Sequence, residues 1–523
     1  MRKPADIINS RIENKWSVVI LTAYLCIVFS MQAIALDAPF KLWVFLGIFV
    51  ASVIVSLLVI AVAGKWLNRV KPETVNKSPW LWGLVSFVLV LGVYSVYHLG
   101  QYPGGLTSDS IQQYQQALGD MEYNNWHPIL HTLLFYTLPI KLGRRLGFII
   151  TLQIGYFALA FGYLIYVLAK NGFNKLCLIL FDLYIILNPY LATYIMFSWK
   201  DLAFMIFAIW MIACYVQIVC TKGHWLKKWY NVLSYSLALI LGNSMRHNAI
   251  LFVLPLVVIT IVYVVKEKKT RLVLSVSVIV LLAVVKIFVS ALHLPSSDRR
   301  VVETIGLPVT IWSDVMRVEP ESLSDETRER LLSVASLEDY QEVYNEGDFN
   351  SLKFSGKCDL DKLDTFTYSE VFTYMFECFK VAPETSMRAL AKLTMPFWDY
   401  TGFFKPTEVL ISCFDFYGMR YEPKMPFYHW VNALKTLADN PVGSTLFGSY
   451  GFMMLSLFLV AAVLFASNRK SFLHILPIFF YNGGTSLLLS TYFDYRFFLY
   501  TITIWIPLLF IMLKDRNVLD EKK

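Results

Sequence analysis

Apolar runs long enough to cross a bilayer recur along almost the whole chain, and few folds accommodate them. They fall at about 17–36, 42–64, 80–99, 147–169, 176–197, 202–221, 230–245, 248–265, 271–292, 447–467, 471–490 and 497–513. About twenty apolar residues span the hydrocarbon core as a helix. Backbone polar groups in lipid must be satisfied within the spanning segment itself, which a helix does. An all-α polytopic membrane protein with about 12 transmembrane helices is therefore expected. Of 523 residues, 57% are hydrophobic and only 16% charged, far from the balance of a soluble protein. The net charge of +8 is gathered in short loops, where it sets orientation and is no sign of nucleic-acid binding.

Placing the N-terminus inside puts Lys65, Arg69, Lys71 and Lys77 on the cytoplasmic side, with Lys170, Lys175, Lys222, Lys227 and Lys228. Lys266, Lys268, Lys269, Arg271, Arg469, Lys470 and the Lys-rich tail follow them. The opposite loops carry isolated bases: Lys41, Lys200, Arg246 and Arg496. Lys141, Arg144 and Arg145 break this pattern. A helix at 127–142 lying along the outer interface, with Pro128 at its first position, keeps every later loop in register. Met1 to Lys15 is a basic tail without a signal-peptide pattern. The expected protein is multi-pass in the cytoplasmic membrane of the cell, with both termini cytoplasmic.

The chain divides into a tail and two-span hairpin (1–79), a transmembrane module (80–292) with an outer loop at 100–146, an insertion (293–446), and a C-terminal three-span unit with its tail (447–523). The insertion breaks the hydropathy pattern and reads as extracytoplasmic, interfacial and mainly helical. Ser322-x-x-Asp325 resembles a capping box opening a polar helix to about Tyr340. Amphipathic stretches follow at about 367–380 and 383–397. Cys358, Cys378 and Cys413 lie in this unit, an odd number that allows one disulfide at most. Cys26, Cys177, Cys214 and Cys220 fall in or at the ends of spans and read as small apolar residues. No CxxC, His/Cys metal spacing or phosphate-binding glycine loop occurs.

The first long polar interval runs from Tyr102 to His131, within a stretch from Ser78 to Ile140 that has no Lys or Arg. Pro103-Gly104-Gly105 is a turn signal. Thr107 and Ser108 suit the N-cap of a short helix with an apolar stripe of Ile111, Tyr114 and Leu118. Asp109 would sit in the first turn, where unpaired N–H groups and the dipole favour an ionised carboxylate. Four outer corners share this character: Asp109 with His127, Lys200-Asp201, Arg246-His247, and Asp494 with Arg496. The spans between are nearly free of charge, with Asp182 and Lys286 the clearest exceptions. Ion-coupled transporters keep ionisable groups near the bilayer midplane. Chemistry at the membrane surface, on a substrate with a lipid tail and a charged head, fits this pattern better. Arg299, Arg300, Asp314, Asp399 and Phe397-Trp398 are weaker candidates.

The first outer loop, with Asp109 in a Ser-Asp-Ser-x-x-x-Tyr-x-x-Ala context (Ser110, Tyr114, Ala117) followed by Tyr123, His127 and Pro128, resembles that of GT-C membrane glycosyltransferases. Asp201, after Trp199-Lys200, is similar in placement to the second loop acid of that superfamily. The resemblance covers roughly residues 80–265. It implies a polyprenyl-phosphate-linked sugar donor, a cell-envelope glycan or lipid-linked saccharide as acceptor, surrounding membrane lipids and no nucleic acid. It also implies Asp109 and Asp201 as catalytic acids. The family's frequent paired acids are here Asp109 followed by Ser110, which leaves a divalent cation open; no other cofactor is called for. Sugar transfer needs a base for the acceptor hydroxyl and cations for the departing phosphate. Asp109 suits the first task, and Lys200, Arg246 and Arg496 the second, with Arg a bidentate binder. His127, His247 and Tyr114 are further substrate-binding candidates. An envelope polysaccharide polymerase or ligase, and a lipid or polysaccharide flippase, are the alternatives.

Overall fold

The computed structural model describes residues 4–67, 76–143, 145–295, 301–402, 420–465 and 468–520. Arg69, Lys71, Arg144, Arg299, Arg300 and Cys413, singled out above, lie outside the described residues. Among the described residues every regular element is helical, apart from two isolated bridges, Gly105 with Phe197 and Asn345 with Asp348. Nine helices among the described residues are long and apolar enough to cross a membrane. Two further apolar runs are bent: Lys175–Ile186 meets Pro189–Ile195 at 55°, and Pro441–Gly448 meets Tyr450–Phe465 at 66°. Counting each bent pair as one span gives eleven in this multi-pass architecture.

The breaks have local causes. Pro189 cannot donate to the preceding turn, and the Asn188 side chain caps the new helix by accepting the Leu191 N–H at 2.9 Å. At the second break Ser449 is extended, and its hydroxyl accepts the Phe452 N–H at 2.9 Å. The run at 230–245 folds as Trp229–Asn243, a helix of 15 residues. At about 1.5 Å per residue it is shorter than the ~30 Å hydrocarbon core. The stretch expected to lie at the interface is the 15-residue apolar helix Ile129–Gly143. Pro128 stands at its N-cap rather than its first position. His131, Thr132 and Tyr136 are fully buried, because this helix carries the short helix Ser108–Leu118 on one side and packs on Leu146–Lys170.

Lys200–Cys220 is the centre of the bundle, 89% buried across its apolar window. Leu146–Lys170, Trp229–Asn243 and Tyr495–Asp515 surround it. At the periphery Leu42–Ala63 and Lys268–Ala291 are only 11% and 6% buried. Leu42–Ala63 is apolar all round, as a helix facing lipid is, while Lys268–Ala291 carries Lys286 within its apolar run. Small residues allow one close crossing: a Cβ on Gly162 would lie 2.9 Å from the Gly83 carbonyl oxygen and 2.9 Å from the Phe87 Cβ. This is how Pro79–Gly100 lies against Leu146–Lys170, and close backbone approach replaces the hydrophobic drive that lipid removes.

Residues Val302 to Ala389 build a second buried cluster around Trp312 and Tyr340. The polar helix expected to run from Ser322 to Tyr340 is two helices. Ser324 caps the first, Asp325–Leu332, and Ser336 caps the second, Leu337–Glu342. Each serine offers its hydroxyl to a backbone N–H, which starts a new helix and ends the old one. Cys358 and Cys378 are free thiols. Asp314 is buried, accepting the Tyr344 hydroxyl at 2.9 Å and the Gly347 N–H at 3.1 Å. Burial pushes its carboxyl up to about 7. The chain then returns through Met395–Trp398, and Asp399 accepts the Thr401 hydroxyl at 2.6 Å.

Gly162→Val places two methyl-bearing branches into the crossing with Gly83 and is expected to destabilise the bundle by about 1–3 kcal/mol, the usual cost of overpacking. Thermal unfolding in detergent measures this. A melting temperature equal to the parental one means the two helices do not approach as described.

Candidate functional site

Three chain segments meet at one end of the bundle. The first is the turn of Ser108–Leu118, whose start is closed by the Ser110 hydroxyl accepting the Thr107 N–H at 2.6 Å. This directs Asp109, in the first helical turn, towards the start of Lys200–Cys220. The second is Trp199-Lys200, where the Trp199 indole donates to the Thr107 hydroxyl at 2.7 Å and ties the two segments together. The third is the corner Asp494–Arg496, where Asp494 accepts the Arg496 N–H at 3.0 Å and starts the last span.

The three segments share one ion-pair network. Asp109 Oδ2 lies 3.1 Å from Arg496 Nη1 and 3.9 Å from Lys200 Nζ. Arg496 Nε lies 2.6 Å from Asp494 Oδ2. The guanidinium also sits over the Trp199 ring, 5.2 Å from its centroid. Lys200 Nζ donates to His127 Nδ1 at 3.1 Å. The side chains of Asp109, Lys200 and Arg496 are 32%, 22% and 18% exposed, so the cluster opens to the outside. Burial would raise the Asp109 carboxyl, but Arg496 and then Lys200 outweigh it and hold it well below the usual carboxylate range. Burial, then Lys200, pushes the His127 imidazole down to about 3. His127 is therefore neutral near pH 7, and its Nδ1 accepts a hydrogen bond from the lysine.

Asp201 and Arg246 have another setting. Expected as a second catalytic acid and a phosphate grip, they form a buried ion pair with each other, their side chains 1% and 6% exposed. Arg246 Nε donates to Asn248 Oδ1 at 3.0 Å, and Asn248 Nδ2 donates to the Thr485 hydroxyl at 3.0 Å. Phe497 lies between the two arginines, its ring centroid 4.7 Å from the Arg246 guanidinium carbon and 5.4 Å from that of Arg496. The buried pair thus backs the open one across an aromatic ring. His247 is exposed and meets the Trp126 carbonyl at 3.3 Å. Tyr114 is 4% exposed, a core residue under the loop.

The structure therefore brings Asp109, Lys200, His127 and Arg496 into direct contact, sets Asp201 and Arg246 behind them, and leaves Tyr114 and His247 at the margin. Trp199, Phe497, Asn248 and Gln113 were not singled out in the sequence. Gln113 Nε2 lies 2.9 Å from His131 Nδ1 and donates to the Thr132 hydroxyl at 2.8 Å, holding the loop helix on its neighbour. Only Trp199 had a legible signal, as an aromatic directly before the corner lysine. Among the described residues no group of three or more His, Cys, Asp or Glu is placed to hold a metal ion. A divalent cation at Asp109 would meet one carboxylate already facing two cations, so the donor set does not suit it.

A family model described as "Family of unknown function (DUF6020)" matches residues 18–399. The chain belongs to this family. The match includes Asp109, His127, Lys200, Asp201 and Arg246, and it ends before Asp494 and Arg496. No curated protein and no solved structure matches the chain.

Removing one member of the buried pair strands the other charge. Arg246→Met is expected to cost about 3–5 kcal/mol, and the double change Arg246→Met with Asp201→Leu should recover most of it. Unfolding midpoints of the three proteins in one detergent decide this. A double variant as unstable as the single one would mean that the pair is not the reason for the loss.

Proposed function

We propose that the chain is a membrane glycosyltransferase of the GT-C type, moving a sugar from a polyprenyl-phosphate donor to an envelope glycan or lipid-linked acceptor. The observation that carries this is the ionised Asp109 held between two partly exposed cations, Lys200 and Arg496, at the end of an apolar bundle. On this reading the cytoplasmic membrane holds the bundle, the termini are cytoplasmic, and the site opens on the outer face with the 301–402 unit. The number of spans is then about twelve, the short helix Trp229–Asn243 included.

The ion pairs explain how such a site would be primed. The donor phosphate, a diester carrying one negative charge, competes with Asp109 for the same two cations, the arginine taking it through paired N–H groups. Relieved of its counter-charges, the Asp109 carboxylate becomes a stronger base. It accepts the proton of the acceptor hydroxyl as that oxygen bonds to the anomeric carbon. The bond from that carbon to the phosphate oxygen breaks in the same step, and Lys200 and Arg496 stabilise the charge on the departing polyprenyl phosphate. Neutral His127 aims the lysine, and the buried Asp201–Arg246 pair fixes Phe497 beneath the arginine. The donor is bound before the acceptor is deprotonated.

The lipid tail has a matching place nearby. An apolar cavity of about 450 Å³ is lined by Leu134, Phe135, Tyr163, Ile206, Phe207 and Trp210 among others. Ile206 is on the same helix as Lys200, about 9 Å further along at ~1.5 Å per residue. A head at Lys200 and Arg496 and a tail in this cavity suit one amphiphile.

Asp109→Asn keeps the size and leaves the Thr107–Ser110 cap in place but removes the base. Transfer of labelled sugar by the purified protein is expected to fall by ~10²–10⁴-fold, with donor binding retained. Arg496→Lys is expected to weaken donor binding first, through loss of the bidentate contact. Transfer at the parental rate by Asp109→Asn would remove Asp109 from the mechanism and the reading with it.

A further inference from the structure

The unit at 301–402 reaches the corner that carries Arg496 through contacts that the mechanism above does not use. Thr491 lies three residues before Asp494. Its carbonyl accepts the Phe349 N–H at 2.9 Å and the Thr310 hydroxyl at 3.5 Å. Its own hydroxyl donates to Asn350 Oδ1 at 2.8 Å. Beside it Gly306 presses on Ser490 so closely that a Cβ would stand 2.1 Å from the Ser490 carbonyl oxygen. No side chain fits that seam. From the bundle the Tyr450 hydroxyl donates to the Tyr495 carbonyl at 2.8 Å. The corner Ser490–Arg496 is thus gripped by the inserted unit at its start and by Asp494 and Asp109 at its end. A second contact runs nearby: Glu303 pairs with Lys353 at 2.5 Å. Its short helix Val301–Thr304 packs on Thr485–Leu489, the segment that holds Asn248.

We propose that Thr491 is a positioning residue: through it the inserted unit holds the Ser490–Arg496 corner and sets Arg496 to receive a lipid phosphate. The ligand named here rests on the glycosyltransferase reading; the mechanical coupling does not. A loop that merely joined two spans would need the bundle contacts alone. Here four hydrogen-bonding or close-packing partners from two helices of the insertion (Gly306 and Thr310 on one, Phe349 and Asn350 on the other) converge on two residues. The arginine that follows is fixed by a carboxylate at both its backbone and its guanidinium.

The test compares Thr491→Val, Thr491→Ser and Asn350→Ala in the full-length protein, held in phosphatidylcholine nanodiscs with undecaprenyl phosphate as the probe. Thr491→Val keeps the shape and the carbonyl and loses only the hydroxyl donor. It is expected to speed hydrogen exchange across 490–499 and to weaken undecaprenyl phosphate binding about two- to tenfold, the worth of one net hydrogen bond. Thr491→Ser should stay near the parental values in both readouts. Asn350→Ala should reproduce the valine variant and add nothing to it. Faster exchange with unchanged lipid affinity would overturn the proposal, and so would a valine variant unchanged in both. If the parental protein binds no undecaprenyl phosphate while Thr491→Val still loosens 490–499, the lipid-phosphate reading falls and the positioning of Arg496 by the insertion stands.

Discussion

The carboxylate of Asp109, shared between Arg496 and Lys200, is the contact on which the end of this bundle depends. Three segments more than ninety residues apart in sequence each bring a charge to the edge of an apolar core, where an unpaired charge is costly. Partly exposed pairs contribute little one at a time. Here they are linked, because Arg496 also binds Asp494, and Lys200 also donates to the neutral His127. Removing Arg496 takes a partner from both Asp109 and Asp494, and removing Asp109 takes one from both cations. The second pair, Asp201 with Arg246, is buried and anchors the same corner from inside, with Phe497 as the spacer between the two arginines. The open pair can exchange its carboxylate for a phosphate; the closed pair cannot without leaving a charge in the core.

Much of this end of the molecule was legible in the chain. The corners at 109, 200, 246 and 496 were visible because each sets an acid, a base or both against the end of an otherwise apolar run. Which acid met which base was not. Lys200 and Asp201 are neighbours and read as a turn pair, yet both lie in the first turn of a helix. Successive residues there point about 100° apart at 3.6 residues per turn, so the lysine faces Asp109 and the aspartate faces Arg246. The membrane class followed from hydropathy, but hydropathy averages over windows and does not see a bend such as that at Asn188-Pro189 or Ser449. It did show a short run at 230–245, which folds as the 15-residue helix Trp229–Asn243. The insertion was visible as a break in pattern. Its helix boundaries were not, because Ser322, Ser324, Ser333 and Ser336 all offer plausible caps and packing selects among them.

Membership of the family covers residues 18–399, whereas the site is completed by Arg496, almost a hundred residues beyond that point. The last spans are therefore more than a closing segment of the bundle. They return to the loop that carries Asp109, supply the second cation, and are themselves seated on the inserted unit through Ser490 and Thr491. An account of the site built only from the first four hundred residues would contain a carboxylate and a lysine and lack the group that most strongly holds the carboxylate.

The central claim is that the two cations around Asp109 form the seat of a lipid phosphate. A density map of the protein in nanodiscs with undecaprenyl phosphate tests it directly. The account predicts the phosphate within about 4 Å of both Lys200 Nζ and the Arg496 guanidinium, the range of a direct ion pair, with Asp109 released from at least one of them. An undisturbed Asp109–Arg496 pair, with the lipid head bound elsewhere on the protein, would contradict it.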